Sequence, residues 1–585
     1  METMIRPLVV LGVLLLAPGC DDSTTPASPR PMPEPDPAPA PDPGPGPVPP
    51  EIAAWIDANA HPFVGTDPSL PHGDIEFLRE MVGDARIVAL GENTHGTRDF
   101  FEMKFRILRF LVEEMGFNTF AMESSWPEAR LADRYVRAGE GDSAQALSAL
   151  VFLVWRTETV LAMLEWMREH NERGGDLAFH GFDMQFPGLA LHNVLEYLGE
   201  VDPVHAAEVE ALVECLNRYA NRIDSFPRWP EERYRDQTDA YRAECGASLE
   251  AASELLLANR ERYEAVTGED GFEVALQSLR VAIQFHLFRT GEQDRDMSMA
   301  ENTEWIAERV GPEGRMVLWA HNYHVSTQPE TQGGYLRETF GDDMVVLGFT
   351  HARGSFTAWD LQGNQLAHDL DPPVEDSVEH YLSAASAPQF VLDLRAITEN
   401  TKDGSWLAEP HLTRFIGFYY DPDESGRFWG RDRMTELYDL LAHFETTGPT
   451  AIVPFSALVD TESLRPWRAA GPADRPAAPG RRLSPYRSSA AGSGAPSRIR
   501  RRRSAGSLPI RFTMKLSAAG RSGIWTRRRL RVSGFSVVSQ STLGCISPRP
   551  LNRVIVGLFA PAPRRMVSLS ASSRAQCVLP PMSTR

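Results

Sequence analysis

The chain has 585 residues, 42% of them apolar, enough to bury a large core and longer than one ordinary domain. Its net charge of −20 is unevenly spread: from Arg465 to the C-terminus there are 24 Lys/Arg and one Asp, about +23, which leaves about −43 on the rest. An acidic body argues against nucleic acid as a partner, and five cysteines without a C-x-x-C pair exclude zinc-knuckle spacing.

Residues 1–20 read as a targeting segment: Arg6 precedes the apolar run Leu8–Leu16, too short for a permanent membrane span. Its end, Leu16-Ala17-Pro18-Gly19-Cys20, resembles a bacterial lipoprotein signal, with Cys20 as the residue that takes the lipid. That implies a protein exported to the bacterial cell envelope and held to a membrane by its lipid anchor. The alternative is an ordinary secretory signal that happens to contain a cysteine. Residues 21–50, dominated by Pro with Ala, Gly and Asp, cannot bury apolar area and read as an extended tether.

The folded part is expected over 51–462. Ile87–Leu90 is a continuous apolar run, as in a buried strand, and is followed by helical spacing through Phe101, Phe105 and Leu108. Strands follow at Thr119–Glu123 and Leu177–Asp183, with a helix over Val160–Asn171 between them. This alternation predicts an α/β fold, a mainly parallel sheet flanked by helices. Residues 203–310 show only helical periodicity and are expected to form a large inserted helical subdomain. Cys215 and Cys245 lie on neighbouring helices of it and are expected to pair if the protein is exported. Strand patterns return at Met316–Ala320, Met344–Phe349, Gln389–Leu394, Phe415–Tyr420 and Ala451–Pro454. The tail, 463–585, holds RIRRRR at Arg498–Arg503 among Ser, Gly and Pro; it reads as a disordered appendage and carries no function here.

Polar, titratable residues stand at four expected strand ends: Glu92 and His95, Glu123, Asp183, and His321 with His324. In a parallel sheet those ends share one edge, where ligands bind. Each residue also has a plainer explanation: a loop histidine, a structural salt bridge for Glu123, a helix cap for Asp183, core or capping roles for the histidine pair. Taken together, two chemistries fit. Either a histidine held by a carboxylate activates water while a cation and the other imidazoles stabilise an oxyanion, or His95, Glu123, His321 and His324 ligate a divalent metal. Spacing does not choose between them. The chain lacks Gly-x-Ser-x-Gly and the Walker pattern, which disfavours a serine esterase and a P-loop enzyme.

The runs Leu90–Thr97, Phe120–Glu123 with Trp126–Ala129, Trp155–Glu158, Gly181–Asp183, Arg295–Asp296 with Met299–Asn302, and Ala320–His324 resemble the erythromycin esterase family. The similarity is collinear from about residue 51 to about 460 and is closer to the broad, largely uncharacterised branch than to the macrolide-resistance enzymes. It implies hydrolysis of a macrolactone-like ester without a metal or other cofactor, on a small-molecule substrate. His95 falls on the general base, Glu92 on its support, and Glu123, His321 and His324 on the other site positions. Lys104 falls where the family has an arginine, with Arg106 as a substitute nearby, and these with Asp183 are expected to contact substrate or oxyanion.

Overall fold

The computed structural model describes residues 46–220, 233–454, 528–532 and 535–539. The segment around Cys20, most of the proline-rich tether and the Arg498–Arg503 run lie outside them. Among the described residues no helix is long and apolar enough to cross a membrane.

The strands in chain order are β1 (His61–Pro62), β2 (Ile87–Leu90), β3 (Thr119–Ser125), β4 (Ala178–Asp183), β5 (Met316–Trp319), β6 (Met344–Trp359), β7 (Gln365–Asp369), β8 (Gln389–Asp393), β9 (His411–Arg414), β10 (Trp429–Asp432) and β11 (Leu440–Thr447). Nine of them make one sheet ordered β1-β8-β11-β6-β2-β5-β3-β4, with β7 folded back on β6. From β11 to β4 all neighbours are parallel, and only β8, β1 and β7 run against the strands they pair with. The expected mainly parallel α/β sheet is therefore present.

Why the central strands read as unbroken apolar runs is clear from their two faces. Side chains alternate across a strand, so Val88 and Leu90 join the core under the helices Arg98–Met115 and Glu158–Glu172, while Ile87 and Ala89 join the opposite core with the helix Arg295–Val310. A strand covered on both sides has no polar face to show.

The helical insertion differs from the expectation at both ends. Its own core runs from Leu191, on the helix Pro187–Val201, to Phe285, whereas Met299, Trp305 and Ile306 of the last helix pack with the sheet. The apolar stripe of that last helix faces a strand layer rather than another helix, a distinction that periodicity does not carry. Cys215 and Cys245 form a disulfide, Cα to Cα 5.6 Å, joining the helices Pro203–Asn217 and Asp239–Ala258.

Two expected strands are not in the sheet. Phe415–Tyr420 is a loop, turned at Gly417 by a φ of 59° that only glycine adopts easily, and it pairs by single bridges with Thr94 and Trp359. Ala451–Pro454 contributes one bridge, Ile452 to Thr157. β11, which is not among the strands expected from the sequence, lies between β6 and β8. In the tail, β12 (Arg528–Val532) and β13 (Phe535–Ser539) form an antiparallel hairpin.

Candidate active site

β2 lies at the centre of the sheet, and the chain leaves its end through Gly91–Thr97 before entering the helix Arg98–Met115. That loop is pinned from two sides. The Gly96 carbonyl accepts the N–H groups of Thr357 and Thr450, each at 2.9 Å, and a Cβ at Gly96 would clash with the Thr357 backbone. The His95 N–H donates to the Gly417 carbonyl at 3.1 Å and the Asn93 carbonyl accepts the Ile416 N–H at 2.8 Å, so the loop 415–420 forms the other wall.

Glu92 is fully buried. One carboxylate oxygen meets His95 Nδ1 at 2.7 Å; the other accepts Lys104 Nζ at 2.7 Å and Trp319 Nε1 at 3.0 Å. A carboxylate can only accept, so Nδ1 carries the ring proton and Nε2 presents its lone pair. Trp155 stands edge-on to the imidazole, centroids 5.3 Å apart, and its indole N–H donates to the Glu123 carbonyl at 2.8 Å. Among the described residues, Nε2 of His95 has no hydrogen-bond partner.

Lys104 is as buried as Glu92, and its ammonium lies 4.3 Å from the Trp319 ring centroid. Burial pulls its pKa down to about 8, against the opposing pull of Glu92. Lys104 Nζ donates to Glu92 and, at 3.5 Å, to the Ala320 carbonyl. Arg106 is not in the site at all: it bonds the Gly65 carbonyl at 2.7 Å, the Pro71 carbonyl and Asp74. Two residues along a helix point to nearly opposite sides, so Lys104 and Arg106 cannot share a pocket.

The remaining groups form a second cluster around Arg295. Its guanidinium donates to Glu123 at 2.7 Å, to Asp183 at 2.6 and 3.1 Å, and to His324 Nε2 at 2.9 Å. His324 Nδ1 donates in turn to Asp296 at 2.8 Å. The second Glu123 oxygen accepts the His321 N–H at 3.0 Å. Burial alone would raise the Glu123 pKa, but His324, Arg295, His95 and that backbone N–H hold it far below the ordinary carboxylate range. Burial would likewise lower Arg295, and Asp183 with Glu123 hold it above the usual guanidinium value.

His321 packs 5.2 Å from His95 and 6.4 Å from His324, centroid to centroid. It caps the short helix Asn322–Val325, with Nδ1 3.2 Å from the Tyr323 N–H, while Nε2 lies 3.2 Å from the Gly417 N–H. A neutral imidazole accepts at one nitrogen only, so one tautomer satisfies one of these contacts. Burial, then the neighbouring His95 and His324, push its pKa well below the ordinary histidine value.

The structure thus brings together Glu92, His95, Lys104, Glu123, Asp183, His321 and His324, and leaves out Arg106. Two of the plainer explanations hold as well, since His321 is a cap and Glu123 is in a salt bridge, whereas Asp183 does not cap the helix Pro187–Val201 but accepts the Met184 and Gln185 N–H groups ahead of it. Arg295, Asp296 and Trp155 were not singled out as site residues. Two signals pointed to Arg295: its place in the Arg295–Asp296 run that resembles the family, and charge, since three carboxylates meeting in a buried place need a cation. Among the described residues no group of three or more His, Cys, Asp or Glu side chains is arranged to hold a metal ion.

Comparison with known proteins bears on this arrangement. A Bacillus subtilis (strain 168) protein named as a hydrolase, YbfO, is 25% identical over 434 residues, 68% of this chain and 92% of its own length. Erythromycin esterase type II of Escherichia coli is 25% identical over 412 residues, 64% of this chain and 95% of its own length. A crystal structure of a Bacillus cereus protein superposes with a TM-score of 0.61 at 26% identity, covering 69% of this chain and 99% of that one. The profile of the erythromycin esterase family matches residues 112–447, which begins after the Glu92–His95 loop and includes every other residue of the centre except Lys104. The chain belongs to the erythromycin esterase family, a membership that supports a hydrolase activity.

Proposed function

We propose that this chain hydrolyses an ester bond, macrolactone-like in a bulky, mostly apolar small molecule, with water activated at His95 and without a metal. The observation that carries the reading is the state of the three imidazoles. His324 is tied to neighbours through both ring nitrogens and His321 faces a backbone N–H at each of its own, one of which it can accept, while His95 is held at Nδ1 by Glu92 and has a bare Nε2. Such a nitrogen can take a proton from water as its oxygen attacks the ester carbonyl carbon. The ester oxygen that leaves takes that proton back, so an acid and an alcohol result, or a hydroxy acid when the ester closes a ring. Glu123 is suited to orient the water, and Arg295 places positive charge beside the oxyanion that forms. The substrate class rests on the family and on the name of the Escherichia coli relative.

The test is a substrate screen. Erythromycin, simple lactones and open-chain esters are incubated with the full chain, before and after chelation, and products are followed by mass spectrometry. The expected product is the ester plus one water, formed at an unchanged rate after chelation; no product from any ester rejects the reading, and loss of activity on chelation rejects its metal-free form. On residues 1–20 alone we also propose lipid attachment at Cys20 and an envelope location. Labelled-palmitate incorporation lost in Cys20→Ala is the expected outcome, and equal labelling of both proteins contradicts it.

A further inference from the structure

Every carboxylate oxygen of Glu92, Glu123 and Asp183 already has a donor, and Arg295 bonds Glu123, Asp183 and His324. What capacity is left there serves the reacting ester, so the grip on the rest of a substrate falls to the walls. Nine large apolar side chains are exposed among the described residues, and only two of them are aromatic, Tyr323 at 45% and Phe418 at 61%. Tyr323 stands on the short helix that His321 caps, and Phe418 on the loop whose Gly417 N–H meets His321. Tyr323 supplies the N–H at Nδ1, and Phe418 follows Gly417, whose N–H lies at Nε2. Their backbones are fixed: the Tyr323 carbonyl accepts Ser326 Oγ at 2.8 Å and the Phe418 carbonyl accepts the Trp359 N–H at 2.9 Å. The Tyr323 ring also meets His324 edge-on, at 5.5 Å.

An exposed ring on a rigid backbone offers a large contact area at little entropy cost. Two of them beside the same imidazole of the centre is not where chance would leave the two large aromatic side chains exposed on the described surface. We infer that Tyr323 and Phe418 form an aromatic grip for the non-reacting apolar face of a macrocyclic ester, holding it while the carbonyl lies near His95. This deepens the hydrolase reading and rests on it for the nature of the ligand.

The experiment measures erythromycin binding by calorimetry to the full chain carrying His95→Ala, with and without Tyr323→Ala and Phe418→Ala together. The Kd is expected to weaken about tenfold or more when both rings are removed, and to stay within about twofold for Tyr323→Phe with Phe418→Tyr. An unchanged Kd in the double alanine variant, or no binding by the His95→Ala chain, overturns the grip. If this pattern of Kd values holds while the unmutated chain opens no ester, the grip stands and the hydrolase reading falls.

Discussion

The strand-end centre and the helical insertion treat buried groups in opposite ways. At the centre, carboxylates, a guanidinium and an ammonium are sealed together, each holding the next: Lys104 to Glu92 to His95, and Asp296 to His324 to Arg295 to Glu123 and Asp183. In the insertion the core cluster runs from Leu191 to Phe285, and ion pairs such as Asp202 with Arg262 sit at the rim, where Arg262 is 55% exposed. The first arrangement is costly to fold, because buried charges must be matched in full. The second is inexpensive and is fastened by a disulfide. A centre that holds its imidazoles in fixed orientations needs the former; a bundle of helices needs only the latter.

That contrast can be broken by removing one element from each region. Arg295→Met strands Glu123 and Asp183 without their cation and is expected to lower stability by about 3–5 kcal/mol in urea titration. Cys215→Ser with Cys245→Ser is expected to lower it by about 2–4 kcal/mol, since the bridge closes a loop of 30 residues. If the serine pair costs more than the arginine, the difference drawn between the two regions is wrong.

A smaller effect sharpens the same point. Because burial lowers Lys104 to about 8, its ammonium is lost as pH rises through that value, and Glu92 loses a charged partner. Turnover is expected to fall about fivefold between pH 8 and pH 9. Unfolding through this group is not the cause: its folded pKa lies below the unfolded one, so its contribution to stability grows from pH 8 upward toward 10.5. Lys104→Arg, which stays charged, should move the alkaline limb up; an unmoved limb assigns it to another group.

Much of this was legible in the sequence, and the reasons are particular. Leu90, Trp319 and the Glu123 and Asp183 strand ends were readable because strands buried on both faces give unbroken apolar runs that stop where polar residues begin. β11 escaped notice because its apolar start, Leu440–Ala442, is followed at once by His443 and then Glu445. The run Phe415–Tyr420 looked like a strand because aromatic residues favour both strands and cleft walls; Gly417 was the sign of the turn. Arg295 begins a helix, not a strand end, so a search along strand ends passes over it. The choice between Lys104 and Arg106 needed only helical geometry, which places one toward Glu92 and the other toward Asp74.

The most direct test of the account is turnover by the full chain and its His95→Ala variant in heavy-oxygen water, with product mass read for each ester that the unmutated chain opens. The account predicts one solvent oxygen in the acid product and a loss of about 10³-fold in the variant, with the fold intact by circular dichroism. A His95→Ala chain that turns over at the unmutated rate would contradict it.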